Sequence, residues 1–204
     1  MREIRMKELH VKIILTEPAL GMTANDPAIL TKFIASKSPD AETLKDEVAS
    51  LGVESVEEKQ TTVFPRDEDG NPIFWDYQIK GFFKDSWGML RRVPKTSCSK
   101  ISSYKKIIDG LIFPSPRKII IHIPEGESVG VLQRPLRAST PQGERVALAS
   151  SESVPAGSYI EFVVTMLDDK LEEAILECLD YGKLRGLGQW RNSGMGKFVY
   201  EILD

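Results

Sequence analysis

Gly182-Lys183-Leu184-Arg185-Gly186-Leu187-Gly188-Gln189-Trp190-Arg191-Asn192-Ser193-Gly194-Met195-Gly196-Lys197-Phe198 joins an amphipathic helical pattern to an apolar strand, Phe198-Val199-Tyr200-Glu201-Ile202-Leu203. Five glycines alternate here with Lys, Arg, Asn and one Trp. Glycine admits positive φ and close backbone approach. Interleaved cations with a planar aromatic suit a phosphate chain carrying stacked bases. The competing reading is a tight helix-to-strand connection whose glycines only solve a backbone problem.

Working outward, Asp168-Asp169 opens the preceding helix, which runs through Leu171, Ala174, Ile175 and Leu179 to Tyr181. Before it, Val154-Pro155-Ala156-Gly157-Ser158 reads as a turn into the strand Tyr159–Met166. Near the other end, His10–Leu15 is β-branched and partly alternating, a first strand. Asp26-Pro27 and Pro39-Asp40 open two helical patterns, the second stopped at Gly52. Thr61–Phe64 is strand-like, and Arg66–Pro72 is a turn, because Asp-Gly and Asn-Pro punctuate chains strongly. Ile73–Ile79 reads as another strand, then Lys80-Gly81, then a helix over Phe82–Arg92. Such a junction would offer free N–H groups to an anion, although it is no Walker loop. Val93–Ser103 reads as a mobile basic loop, Tyr104–Leu111 as a helix and Lys118–Ile123 as a strand. His122 reads as an ordinary strand residue. The mixed order of strands and helices predicts an α+β protein of ferredoxin-like type.

The 204 residues suit one domain with a sizeable insertion, and 41% hydrophobic content suffices for a core. Charges from Arg2 to Glu8 leave no signal-peptide core, and no apolar run approaches a bilayer span, so a cytoplasmic protein is expected. Two distant cysteines and two histidines supply neither a disulfide framework nor a zinc pattern. No cofactor or metal is expected. The Asp67-Glu68-Asp69 cluster lacks the ligand spacing and terminal Glu of an EF-hand.

The net charge of −3 conceals segregation. Lys80 to Lys118 holds ten cations, among them Lys84, Arg91, Arg92 and Lys95, against Asp85 and Asp109 alone, a local +8. A concentrated basic segment favours a polyanionic partner over a merely solvated face.

Three separated blocks resemble one family in order. Val63-Phe64-Pro65-Arg66-Asp67-Glu68-Asp69-Gly70-Asn71-Pro72-Ile73, with Ile79-Lys80-Gly81 and a helix ending in Arg91, resembles its "RDxxTGxPYIPGSSLKGxxR" block. Glu152-Ser153-Val154-Pro155-Ala156-Gly157-Ser158-Tyr159-Ile160-Glu161-Phe162 resembles "ERVPAGTxFEFE", and Leu184–Phe198 resembles the terminal "LGGxxxxGxGRV" loop. The family is the RAMP superfamily, specifically the backbone subunits of type III CRISPR effector complexes. The resemblance implies a modified RNA-recognition-motif fold that polymerises along a guide RNA and contacts its backbone. Lys80 and Gly81 would then lie near the phosphates, with Arg185, Gln189, Trp190, Arg191 and Lys197 against the same strand. Arg137 and Arg145 would belong to a thumb-like insertion near 134–153. A helical insertion at 26–58 occupies the region where type III subunits carry a cleaving aspartate, for which Asp26 is the candidate. The block's serines are missing here. The chain also resembles a recurring prophage protein of Gram-positive bacteria.

Three functions follow as expectations. The first is a non-enzymatic protein that binds RNA or another single strand and self-associates along it, or joins a CRISPR-type effector complex. The second is a phage anti-defence protein that mimics or blocks a host effector, its acidic Asp40–Asp69 region meeting a basic partner. The third is a metal-dependent endoribonuclease using Asp26 or the Asp67–Asp69 cluster, whose turn chemistry already explains those residues.

Overall fold

The computed structural model describes residues 6–25, 61–140 and 143–203. The expectations for Asp26, for the two helices and for the insertion at 26–58 lie outside the described residues, as does most of the acidic 40–69 region.

In chain order the elements are β1 (Lys7–Leu15), β2 (Ala19–Leu20), β3 (Thr23–Ala24), β4 (Thr61–Val63), β5 (Ile73–Trp75) and α1 (Asp76–Leu90). Then come α2 (Ser97–Lys100), α3 (Tyr104–Leu111), β6 (Ile112–Ser115), β7 (Lys118–Ile120), β8 (Gly130–Thr140), β9 (Gly143–Val154) and β10 (Tyr159–Met166). A 3-10 turn leads into α4 (Glu172–Arg185), and β11 (Phe198–Leu203) follows the glycine-rich stretch.

The main sheet has the order β11-β1-β10-β6, antiparallel throughout. Its inward face follows from strict alternation. Leu9, Val11, Ile13 and Leu15 of β1 are buried with Ile160, Phe162, Val164 and Met166 of β10. Helices α1 and α4 lay Ile79, Phe83, Trp87, Ile175 and Leu179 into the same core. The opposite face carries Glu8, Glu161 and Glu201 around Lys12, which pairs with Glu161 at 2.9 Å. Three carboxylates against one lysine make that face unfit for a polyanion.

A second sheet runs β2-β9-β4-β3, with β8 paired to β9, and β5 pairs with β7. Among the described residues only β4 and β9 run parallel there. β8 and β9 stay in register from Gly130↔Ser153 to Thr140↔Gly143. Pro135, which has no N–H, is tolerated because β8 has no second neighbour among the described residues. The protein is therefore a mixed α/β chain built chiefly on antiparallel sheets.

Three expectations are corrected. The segment Ile73–Ile79 is strand only to Trp75. Helix α1 starts at Asp76, where Gln78 Oε1 accepts the Trp75 N–H at 2.8 Å and closes the first turn. Lys80 and Gly81 thus lie inside the helix and not at a strand–helix junction, so the anion site expected there does not exist. The supposed mobile loop holds α2, capped by the Thr96 side chain and clamped by Glu177, which accepts the N–H groups of Ser97 and Cys98 at 2.7 and 2.9 Å. Helix α4 continues to Arg185, so Gly182 is helical. The long β8–β9 hairpin spans the region expected as a thumb-like insertion near 134–153.

Gly182 is where α4, α1 and β11 meet. A Cβ there would stand 2.1 Å from Phe198 Cζ and 2.8 Å from Phe82 Cζ. Alanine normally favours a helix over glycine. Here we expect Gly182→Ala to destabilise by about 1–3 kcal/mol through overpacking. Chemical denaturation checks this; a neutral or stabilised variant would contradict the packing.

Candidate nucleic-acid interface

The glycine-rich stretch folds back on itself and onto β2. Leu187 N–H donates to Gly196 O and Gly196 N–H to Pro18 O, both at 2.8 Å. Gly186, Gly188 and Gly196 have φ of 81, 88 and 70°. Cβ atoms at 186 and 196 would stand 2.4 Å from Met195 O and 1.8 Å from Leu187 O. These glycines serve the loop's own closure, as the backbone reading held. The crest differs from the stems: the N–H groups of Gly188, Gln189 and Trp190 have no hydrogen-bond partner among the described residues.

Three arginines converge beside this loop. Arg191 pairs with Asp85 Oδ2 of α1 at 2.7 Å, and Arg185 Nε donates to the same oxygen at 3.4 Å. Arg185 also donates to Asn192 Oδ1. Arg134, from β8, lies with its guanidinium 4.0 Å from the Trp190 ring centre. Trp190 itself is left-handed, with φ 56° and ψ 31°, a conformation that disfavours a bulky residue. Lys197 stands beside Gly194, and Gln189 is half-buried at the crest. A cleft of about 360 Å³ adjoins the loop, lined by Met22, Tyr77, Gln78, Phe82, Leu187 and Arg191 among others.

The remaining expected residues lie elsewhere. Lys84 forms an ion pair with Asp109 of α3 at 2.5 Å. Lys80 donates to the Asp109 carbonyl at 3.1 Å and sits over Phe113; burial lowers its pKa. Both lysines are turned towards α3 and away from the loop. Gly81 lines the cleft, with open space where a Cβ would be. Arg91 packs over Tyr104 at 5.5 Å, in room that Gly88 leaves for the Tyr104 hydroxyl. Arg91, Arg92 and Lys95 are exposed beyond the C-terminal end of α1. Together with Lys100, Lys105 and Lys106 they form a run of six cations without a carboxylate. Arg137 pairs opposite Val146 and Arg145 opposite Ala138 in the outer hairpin; their side chains lie outside the described part. The expected set is thus divided over two flanks of α1 and the hairpin.

Sequence reasoning missed Arg134 and Asp85 as members of the site. Asp85 was legible only as one of two acids in the basic segment. Arg134 showed itself only as a lone cation beside a proline.

The acidic turn is a closed hydrogen-bond unit. Asp67 Oδ1 accepts the N–H groups of Asp69 and Asn71 at 3.0 and 2.7 Å, and Oδ2 accepts Asn71 Nδ2 at 2.9 Å. Glu68 pairs with Lys118. Among the described residues no His/Cys/Asp/Glu group stands ready to hold a metal ion. No helix among them is long and apolar enough to cross a membrane.

No family model and no curated protein matches the sequence. By structure, the chain is similar to one of the chains in the type III-B Cmr-beta assembly bound to cognate target RNA, solved by cryo-electron microscopy. The TM-score is 0.52 at 10% identity, over 98% of this chain and 59% of that one. The two chains share a fold. The chain is accordingly shorter than that neighbour, and identity this low speaks to fold alone. A type IV-B CRISPR complex (TM-score 0.46, 13% identity, 97% of this chain and 90% of that) and Cmr6 from Pyrococcus furiosus (0.48, 11%, 98% and 100%) are also similar. At these lower scores they add nothing.

Burial alone would raise the Asp67 carboxyl, but hydrogen bonds from Asn71 and Asp69 outweigh it and hold the pKa below its ordinary value. A depressed folded-state pKa stabilises above the unfolded value and is lost as pH falls through the folded one. Asp67→Ala should therefore lower the denaturation midpoint at neutral pH, the gap from the parent closing below about pH 4. A gap independent of pH would refute this account of the turn.

Proposed function

We propose that the chain is a non-enzymatic, CRISPR-related nucleic-acid-binding protein of RAMP type that holds RNA or another single strand. The observation that carries this reading is the charge imbalance at the loop. Arg134 lies over Trp190, and it stands with Arg185 and Arg191 at this loop, where Asp85 is the only ion-pair partner of the three among the described residues. Guanidinium groups match phosphate oxygens, and an aromatic beside them offers a base-stacking surface.

The strand order β11-β1-β10-β6, with α1 and α4 over one face, supports a ferredoxin-like, modified RNA-recognition-motif core. The acidic open face argues against strand binding on the sheet itself and turns attention to the loop. The β8–β9 hairpin, rooted at Arg134, would act as the thumb and bring Arg137 and Arg145 to the same strand. The exposed Arg91–Lys106 cations would extend the electrostatic field that attracts it. The RNA-bound state of the Cmr-beta neighbour lends support by analogy. Self-association along the strand, or docking in an effector complex, would place several copies of this loop on one nucleic acid.

The test is fluorescence anisotropy of a labelled single-stranded RNA dodecamer titrated at several salt concentrations. With about four phosphate contacts, affinity should fall by tens of fold between about 50 and 200 mM salt. Arg191→Ala should weaken binding by roughly tenfold, about 1.4 kcal/mol. Absent or salt-insensitive binding would refute the proposal.

A further inference from the structure

Arg134 carries a charge that its surroundings do not neutralise. The residue is only 8% exposed. Its Nη1 reaches Ser151 Oγ at 3.5 Å, the outer limit of a hydrogen bond, and that hydroxyl is already engaged with Thr62 Oγ1 at 2.7 Å. Its Nε has no partner, and no carboxylate pairs with it among the described residues. Arginine does not shed its proton in such a place, so the charge remains. Buried charges are ordinarily paired, and an unpaired one costs stability. Among the described residues the Trp190 ring lies over the guanidinium, at 4.0 Å.

The cover is anchored through its backbone on one side alone among the described residues: the Trp190 carbonyl accepts the Ser193 N–H at 2.9 Å. Trp190 is held at φ 56°, between Gly188 and Gly194, which also have positive φ. The N–H groups of Gly188, Gln189 and Trp190 are unengaged among the described residues, whereas the loop stems are pinned at Leu187 and Gly196. Gly188 is buried against the Leu20 backbone, so Gln189 and Trp190 are the part of the crest that can move without breaking the loop's closure.

We infer that Arg134 is a phosphodiester-binding residue masked by Trp190. A bound strand exchanges the indole for a phosphate group on the guanidinium and frees the indole to stack on a base. This rests on the strand-binding function proposed above and adds the residue and the exchange. The ligand class follows from the site. A buried guanidinium fork is completed by a multi-oxygen anion, and Arg185, Arg191 and Lys197 on the same loop repel any cation. Arg185 and Arg191 already share the Asp85 carboxylate, while Arg134 meets the indole and, at 3.5 Å, Ser151 Oγ among the described residues.

Trp190 reports on itself, because Trp75 and Trp87 are 1% and 0% exposed. The experiment titrates the full chain with a uridine dodecamer and follows tryptophan emission, subtracting a Trp190→Phe variant. In parallel, the affinity and thermal midpoint of Arg134→Met are measured. The inference expects an altered Trp190 emission at saturation and a roughly tenfold weaker complex for Arg134→Met. The salt slope of Arg134→Met should be reduced by about 0.7, one phosphate contact on a single strand. In the free state its thermal midpoint should equal or exceed that of the parent, since an uncompensated charge has gone. A bound strand with Trp190 emission unchanged, or Arg134→Met binding as tightly as the parent, overturns this inference and leaves strand binding intact. A marked loss of thermal midpoint in Arg134→Met identifies a structural cation and also overturns it. Should no strand bind the parent, both readings fall together.

Discussion

The loop between α4 and β11 closes only because three of its positions have no Cβ. At Gly196 the missing atom would stand 1.8 Å from the Leu187 carbonyl oxygen, and at Gly186 2.4 Å from that of Met195. No rotamer change relieves a clash with backbone, so these glycines fix the path absolutely. From that closure the rest of the site follows. The stem reaches Pro18 and Leu20, tying the loop to β2 and through it to β9. The end of α4 is held where Arg185 meets Asp85. The crest is left to lay Trp190 on Arg134. Glycine used for folding and a surface used for binding are here successive consequences of one constraint, not alternatives.

A second contact explains why sequence blocks far apart belong together. Arg66, in the turn block, donates to Glu152 Oε1 at 2.6 Å, and the other carboxylate oxygen accepts the Phe64 N–H at 2.8 Å. Glu152 thus satisfies a backbone donor and a guanidinium while joining β9 to the segment after β4. The pair is roughly a quarter exposed on each side. Its value therefore lies in register more than in Coulomb energy. By fixing the base of β9 it also fixes the base of β8, where Arg134 stands. Of the three blocks that carry the family resemblance, the two holding Arg66 and Glu152 support the hairpin, while the third, Leu184–Phe198, forms the site.

Much of the frame was legible. β1, α3, β10 and β11 stand where alternation and helical spacing put them, because each buries one face against a single core. The start of α1 was not, since Ile73 to Ile79 is an apolar run in which strand and helix periodicities coincide. The deciding feature is the reach of Gln78 back to the Trp75 N–H, which looks like nothing special in sequence. The β8–β9 hairpin escaped notice for another reason. Pro135 and the Ala- and Ser-rich segments have low β propensity, and pairing over the full length of β8 overrides it. The division of the basic segment was also hidden. Lys84 and Asp85 are neighbours in sequence, yet they turn to opposite flanks of α1, one towards α3 and one towards α4.

That division sets the electrostatics of binding. Any strand approaching the loop competes with Asp85 for Arg185 and Arg191, and it must also accept the field of that carboxylate. Arg134 lies outside this competition: its charge is opposed by no acid among the described residues and is screened only by an aromatic face. A cation over an indole gains something, but less than the same cation gains from a phosphate oxygen at hydrogen-bond distance. The least exposed of the three arginines is thus the one with the most to gain from a phosphate. Burial, which makes Arg134 costly in the free protein, is also what makes its contact strong once an anion reaches it, because little water remains to screen the pair.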